Sequence, residues 1–150
     1  MKTQFLEQKI KYEGLQLAPH WIYKNFKIQG DATVAFIGEC EVKLSEMVDI
    51  EDVINNEPIY SKSMLSFISE QFNVGLVEGV FRQRLLICTI KEALEKRGFK
   101  ITRNGDDLFF EGKKLTVSIA TKSMTSILIH TGINICLLYT SPSPRDRQKS

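Results

Sequence analysis

The stretch Ala93–Ala120, "ALEKRGFKITRNGDDLFFEGKKLTVSIA", holds a helix end, two turns and the start of an apolar strand. Gly98 follows a helical run, where a C′ glycine belongs. Asn104-Gly105 and Glu111-Gly112 mark tight turns, and Asn-Gly is the strongest short hairpin signal. Around them "FKITR", "DLFF" and "KKLTVSIAT" read as short strands. A helix followed by such a meander predicts an α+β domain, with helices packed on one side of a mixed, mostly antiparallel sheet. The second turn also delivers adjacent lysines, Lys113 and Lys114, to the strand that follows. In a strand they point to opposite faces, so one is expected to face a site and the other water. Lysines beside turns also protect sheet edges from pairing with other chains, and spacing alone favours that bland role.

Upstream, apolar residues recur at three and four from about Leu76 to Arg97 (Val77, Val80, Phe81, Leu85, Ile87, Cys88, Ile90, Leu94), which predicts a long helix. Glu78–Arg82 and Glu92–Lys96 are spaced to support it. Ser61 or Ser63 is placed to cap a further helix running through Gln71. "ATVAFIGECEV", Ala32–Val42, reads as a buried strand. "APHWIYKNF" reads as a short helix starting near Pro19. "KIKYEGLQL" reads as an edge strand containing a Glu-Gly turn. "KLSEMVDIEDV" is ambiguous, "NNEPIY" is a loop, and "SILIHTGINI" is a strand.

From Cys136 the chain changes character. "CLLYTSPSPRDRQKS" holds two of the four prolines and no apolar period. Its first eleven residues coincide with a translation of common sequencing-library adapter DNA, so residues 136–150 are expected to be a non-native, disordered tail. Residues 1–135 are then expected to be a single domain cut short at its C-terminus. Of 20 Lys+Arg and 18 Asp+Glu, the tail holds three and one, so residues 1–135 are net neutral. Neutral charge without a basic face argues against nucleic acid. No apolar run approaches the roughly 18 residues of a membrane span, and the N-terminus lacks a signal-peptide core, so a cytoplasmic location is expected. Cys40 and Cys88 have no metal-ligand spacing and read as buried small side chains.

From Ala93 on, the chain resembles lipoate–protein ligases, in which a helix end and an Asn-Asp-Leu hairpin lead to Gly-Arg-Lys and a strand. Asp107, Leu108, Gly112, Lys113 and Lys114 match this element, with the same spacing from the aspartate to the second lysine. Biotin ligases share Gly-Arg-Lys and end one strand later in an "IGIGIN"-like run. "IHTGINI", Ile129–Ile135, resembles that ending, and its "IH" is similar to octanoyl transferases. Residues 1–135 as a whole resemble a conserved uncharacterised family placed in the same fold. The resemblance implies a biotin/lipoate ligase-like fold and an enzyme that transfers a small carboxylic acid (lipoate, octanoate or biotin type) to an acyl-carrier or lipoyl-domain protein. ATP and Mg²⁺ would be its cofactors. Lys114 would stabilise developing negative charge, with Asp107 holding the hairpin, Gly112 at the turn and Lys113 in the arginine position. His130, Gly132 and Asn134 fall in the second matched element.

The chain also departs from these ligases. No glycine-rich segment stands between Val34 and Tyr60, and only Gly38 occupies the place of an Ile-Gly-Arg-like element. Thr116-Val117 replace the usual Ser-Gly or Ala-Gly. These departures support an alternative, a non-catalytic member of the fold that binds a small ligand or a protein. His20 is a candidate pocket residue with Lys24 one helical turn on, against an ordinary packing helix with a polar edge. Asp49, Glu51 and Asp52 can hold Mg²⁺ or simply begin a helix. Arg82 and Arg84 diverge on a helix and do not form a joint clamp.

Overall fold

"ATVAFIGECEV" folds over its whole predicted span, in a computed structural model that describes residues 1–43 and 59–139. In chain order these form β1 (Lys2–Phe5), α1 (Trp21–Phe26), β2 (Ala32–Val42), β3 (Ile59–Phe72) and α2 (Leu76–Lys96). There follow β4 (Ile101–Asn104), β5 (Asp107–Phe110), β6 (Lys113–Lys114), β7 (Thr116–Lys122), β8 (Ser126–Asn134) and α3 (Ile135–Tyr139). The large sheet runs β1-β2-β3-β8-β7, and a small one runs β4-β5-β6. β1 and β2 pair in parallel and the remaining pairs are antiparallel, which is the mixed α+β architecture expected.

The sequence misleads at residues 61–71. They form no helix but lie in β3, a 14-residue strand held between β2 and β8. Met64, Ser66, Ile68 and Glu70 alternate with Leu65, Phe67, Ser69 and Gln71 on opposite faces. Both faces are covered, so each carries apolar and polar residues, the period of two is lost, and the serines imitate caps. Backbone pairing on both sides then overrides local preference.

The helices also divide between the faces. Ile22 of α1 packs with Leu6, Tyr12, Val34, Phe36, Met64 and Ile68 on one face. On the other, Ile87 and Ile90 of α2 pack with Ile101, Leu108, Phe110, Leu115 and Ile133. Burying each of those two isoleucines contributes roughly 2 kcal/mol. α2 ends as read, with Gly98 at φ 94° and the Phe99 N–H returning to the Leu94 carbonyl at 3.2 Å. Its supporting ion pairs are Glu78–Arg82 and Lys91–Glu95, rather than Glu92–Lys96.

At the N-terminus the edge strand begins earlier than expected. Beyond β1 the chain keeps beside β2 through Ile10 N–H to Ile37 O (3.2 Å) and Tyr12 N–H to Glu39 O (2.9 Å). At the other end, residues 136–139, assigned from sequence to the tail, continue α3, and Leu137 and Leu138 pack beside the α2 cluster. Among the described residues no helix is long and apolar enough to cross a membrane.

Candidate functional site

The lysine pair sits where the two sheets join. Glu111 and Gly112, both at positive φ (51° and 76°), make the two-residue turn between β5 and β6. The first hairpin turns on Gly105-Asp106, one residue later than Asn-Gly implies. Past Lys114 the strand leaves the small sheet. The Leu115 N–H bonds the Leu108 carbonyl, its own carbonyl takes the Asn134 N–H (2.8 Å each), and β7 then continues in the large sheet. Lys113 pairs with Phe110, and Lys114 with Phe109. Lys114 therefore shares a face with Asp107, and its Nζ lies 3.4 Å from Asp107 Oδ1, with the two side chains 46% and 32% exposed. Lys113 is exposed too.

Asn134 ties this junction to β3. Its side-chain oxygen accepts the Ser61 hydroxyl at 2.9 Å. Ser61, the partner of Asn134, is missed by sequence reading because it looks like a cap. Lys114 and Asp107 offer an ammonium with a replaceable carboxylate partner, and Asn134 with Ser61 an amide and a hydroxyl where β8 meets β3. Such a set is suited to an oxygen-rich anion.

His130, Gly132 and Gly38 lie deeper, on the α1 face. His130 stacks on Tyr12, with centroids 3.7 Å apart and planes within 6°, and its Nε2 is 3.1 Å from Ser66 Oγ. Burial lowers the His130 pKa to about 3, keeping the ring neutral. Ser66 and His130 are 1% and 3% exposed, so this Ser–His pair is sealed from solvent. Ser66 carries no sequence signal beyond polarity within an apolar run, and Tyr12 stands between charged residues with no signal of burial. The space a side chain at Gly132 would need is filled by Met64, whose Sδ lies 2.2 Å from the ideal Cβ position, and at Gly38 the Ile10 carbonyl oxygen lies at 2.0 Å. Cys40 is buried, as its reading implies, and burial pushes its thiol up to about 11.

His20 is elsewhere again, exposed at the start of α1 with φ 64°, beside the buried Glu70. Arg82 bonds Gln71 and Glu78, while Arg84 lies over Gly105, so the two diverge as their spacing requires. Asp49, Glu51 and Asp52 lie outside the described residues.

A family model described as "Domain of unknown function (DUF366)" matches residues 1–141. The chain belongs to the DUF366 family. An uncharacterised protein of Methanocaldococcus jannaschii is 39% identical over 140 residues, or 90% of this chain, and this DUF366 chain spans 63% of that relative. A protein of unknown function from Pyrococcus horikoshi superposes with a TM-score of 0.85 at 40% identity, covering 89% of this chain and 72% of that one. A putative lipoate protein ligase from Thermoplasma acidophilum with bound lipoic acid superposes with a TM-score of 0.59 at 13% identity, covering 89% and 68%. At that identity the likeness shows the fold alone, and the fold of this DUF366 protein is that of the lipoate and biotin protein ligases.

Proposed function

We propose that this DUF366 protein binds a small carboxylic acid of the lipoate, octanoate or biotin type and passes its acyl group to a lysine of a carrier protein. What carries the reading is the placement of Lys114 at the sheet junction, where the part-exposed carboxylate of Asp107 is its one ion-pair partner among the described residues. A substrate oxygen exchanges with Asp107 at little cost. The ammonium then stabilises the negative charge that grows on acyl oxygen in the transition state. ATP and Mg²⁺ would supply activation of the acid. Among the described residues no group of three or more His, Cys, Asp or Glu is gathered to hold a metal. No step is therefore assigned to them.

A second reading, ligand binding without catalysis, draws on Lys114 lying at a solvated edge, 46% exposed, with His130 packed on Tyr12 and His20 beside Glu70, and on the filled space at Gly132 and Gly38, where Met64 and the Ile10 carbonyl stand. ATP–pyrophosphate exchange with lipoate, octanoate and biotin, on the wild type and Lys114→Ala, tests the first reading. Calorimetric titration of the same acids tests the second. Exchange with one acid that falls at least ~100-fold in the variant supports ligation. Binding without exchange, and without transfer from an acyl-carrier donor, supports plain binding. Absence of all three removes both readings for these acids.

A further inference from the structure

At the other end of β3, roughly 30 Å along the strand from Ser61, a cleft of about 270 Å³ opens between α1 and the sheet. Glu70, Phe72, His20, Tyr23, Gln29 and Gly30 are among the residues lining it. We propose that this cleft is a separate binding site for a compact organic cation, a primary ammonium or guanidinium head seated on the Glu70 carboxylate.

Glu70 is 3% exposed, and its partners are neutral. Oε1 accepts the His20 backbone N–H at 2.9 Å, and Oε2 accepts the Ser126 hydroxyl. None of the ion pairs among the described residues involves it. A carboxylate offers about four acceptor positions. Two are used here, leaving acceptor capacity on each oxygen. A buried carboxyl group bonded by neutral donors alone has room for a further donor, and a cationic head entering the cleft supplies one.

The walls favour the same ligand. Phe72 and His20 stack at 5.9 Å between centroids, and Tyr23 stands at the rim. Aromatic faces attract cations, and the Tyr23 face already receives one, since Lys27 Nζ lies 5.9 Å from its centroid. The buried carboxylate repels carboxylic acids, so this cleft is not a second subsite for the acid proposed at Lys114. Its volume suits a single head group on a short alkyl stem rather than a drug-sized ligand.

The test is an amide-resolved NMR titration with 1,4-diaminobutane and with agmatine, using 1,4-butanediol as the neutral control. Saturable shifts are expected at the His20, Gln29, Gly30 and Phe72 amides with the two cations and not with the diol. Glu70→Gln should weaken binding at least ~10-fold, as loss of a charge-assisted bond does. Tyr23→Ala alters an exposed side chain and should weaken it about 3-fold, which keeps the proposal testable should Glu70→Gln fail to fold. Shifts that do not saturate, an equal response to the diol, or unchanged affinity in both variants would overturn the proposal and leave Glu70 as a tie between α1 and the sheet.

Discussion

Lys114 and His130 carry similar expectations from the sequence and occupy opposite physical environments. Lys114 is half exposed and held by one ion pair in water, an interaction typically worth less than about 1 kcal/mol. His130 is locked between the Tyr12 ring and the Ser66 hydroxyl, and burial holds it neutral. The first residue is available to a ligand at almost no cost, whereas the second becomes available only if the core opens. Chemistry read from residue type therefore needs a second question, whether the group can change partners. Only the sheet junction answers it favourably.

The sharpest break in this comparison should come at the glycines beneath the buried set. Alanine at Gly38 would place its Cβ 2.0 Å from the Ile10 carbonyl oxygen, and the three atoms nearest it all belong to the Ile10 backbone. Residues 10–12 would have to leave β2, giving up three backbone hydrogen bonds to it, the two donated by Ile10 and Tyr12 and the one the Tyr12 carbonyl accepts from the Glu41 N–H. Urea unfolding should show a loss of about 3 kcal/mol or more. Gly132→Ala meets the flexible Met64 side chain instead, so a smaller loss, about 1–3 kcal/mol, is expected. Equal losses would mean that Met64 is as rigid as backbone, and that the buried region cannot open to admit an acyl chain.

Acid should separate the two regions next. The folded pKa of His130, about 3, lies below its ordinary value of 6.5. The unfolded chain then binds more protons between those values. The stability His130 contributes is complete above pH 6.5 and is lost as the pH falls toward 3, at up to about 1.4 kcal/mol per pH unit. Thermal melts at pH 7.5 and 5 should fall together for wild type and Lys114→Ala. They should fall less for His130→Phe, which cannot take up the proton. An unchanged slope in His130→Phe would place the acid sensitivity in the carboxylates.

These contrasts also mark what the sequence can express. Locally encoded features are legible from it: the β-branched run of β2, the Gly98 stop and the Glu111-Gly112 turn each depend on residues within a few positions. β3 is illegible because its identity depends on neighbours distant in the chain. Its Ser61, Ser66 and Glu70 are matched by Asn134, His130 and the His20 backbone, between 50 and 73 residues away. For the same reason the lysine-bearing hairpin can be read in advance, while the pairings of Ser61, Ser66 and Tyr12 emerge only from the fold.

The smallest effect on stability bears most directly on function. A double-mutant cycle of Lys114→Ala and Asp107→Ala should give a coupling below about 1 kcal/mol, because both side chains reach solvent. Raising the salt from 0.1 to 1 M should shrink it further, as the screening length falls from about 10 to 3 Å. A weak, salt-sensitive coupling is what a replaceable partner requires. It would leave Lys114→Ala folded, so that any loss of exchange or binding in that variant belongs to the site. A coupling above about 2 kcal/mol that resists salt would instead make the pair a structural clamp of the hairpin. Lys114 would then be committed to Asp107, and the sheet junction would be no more available than His130.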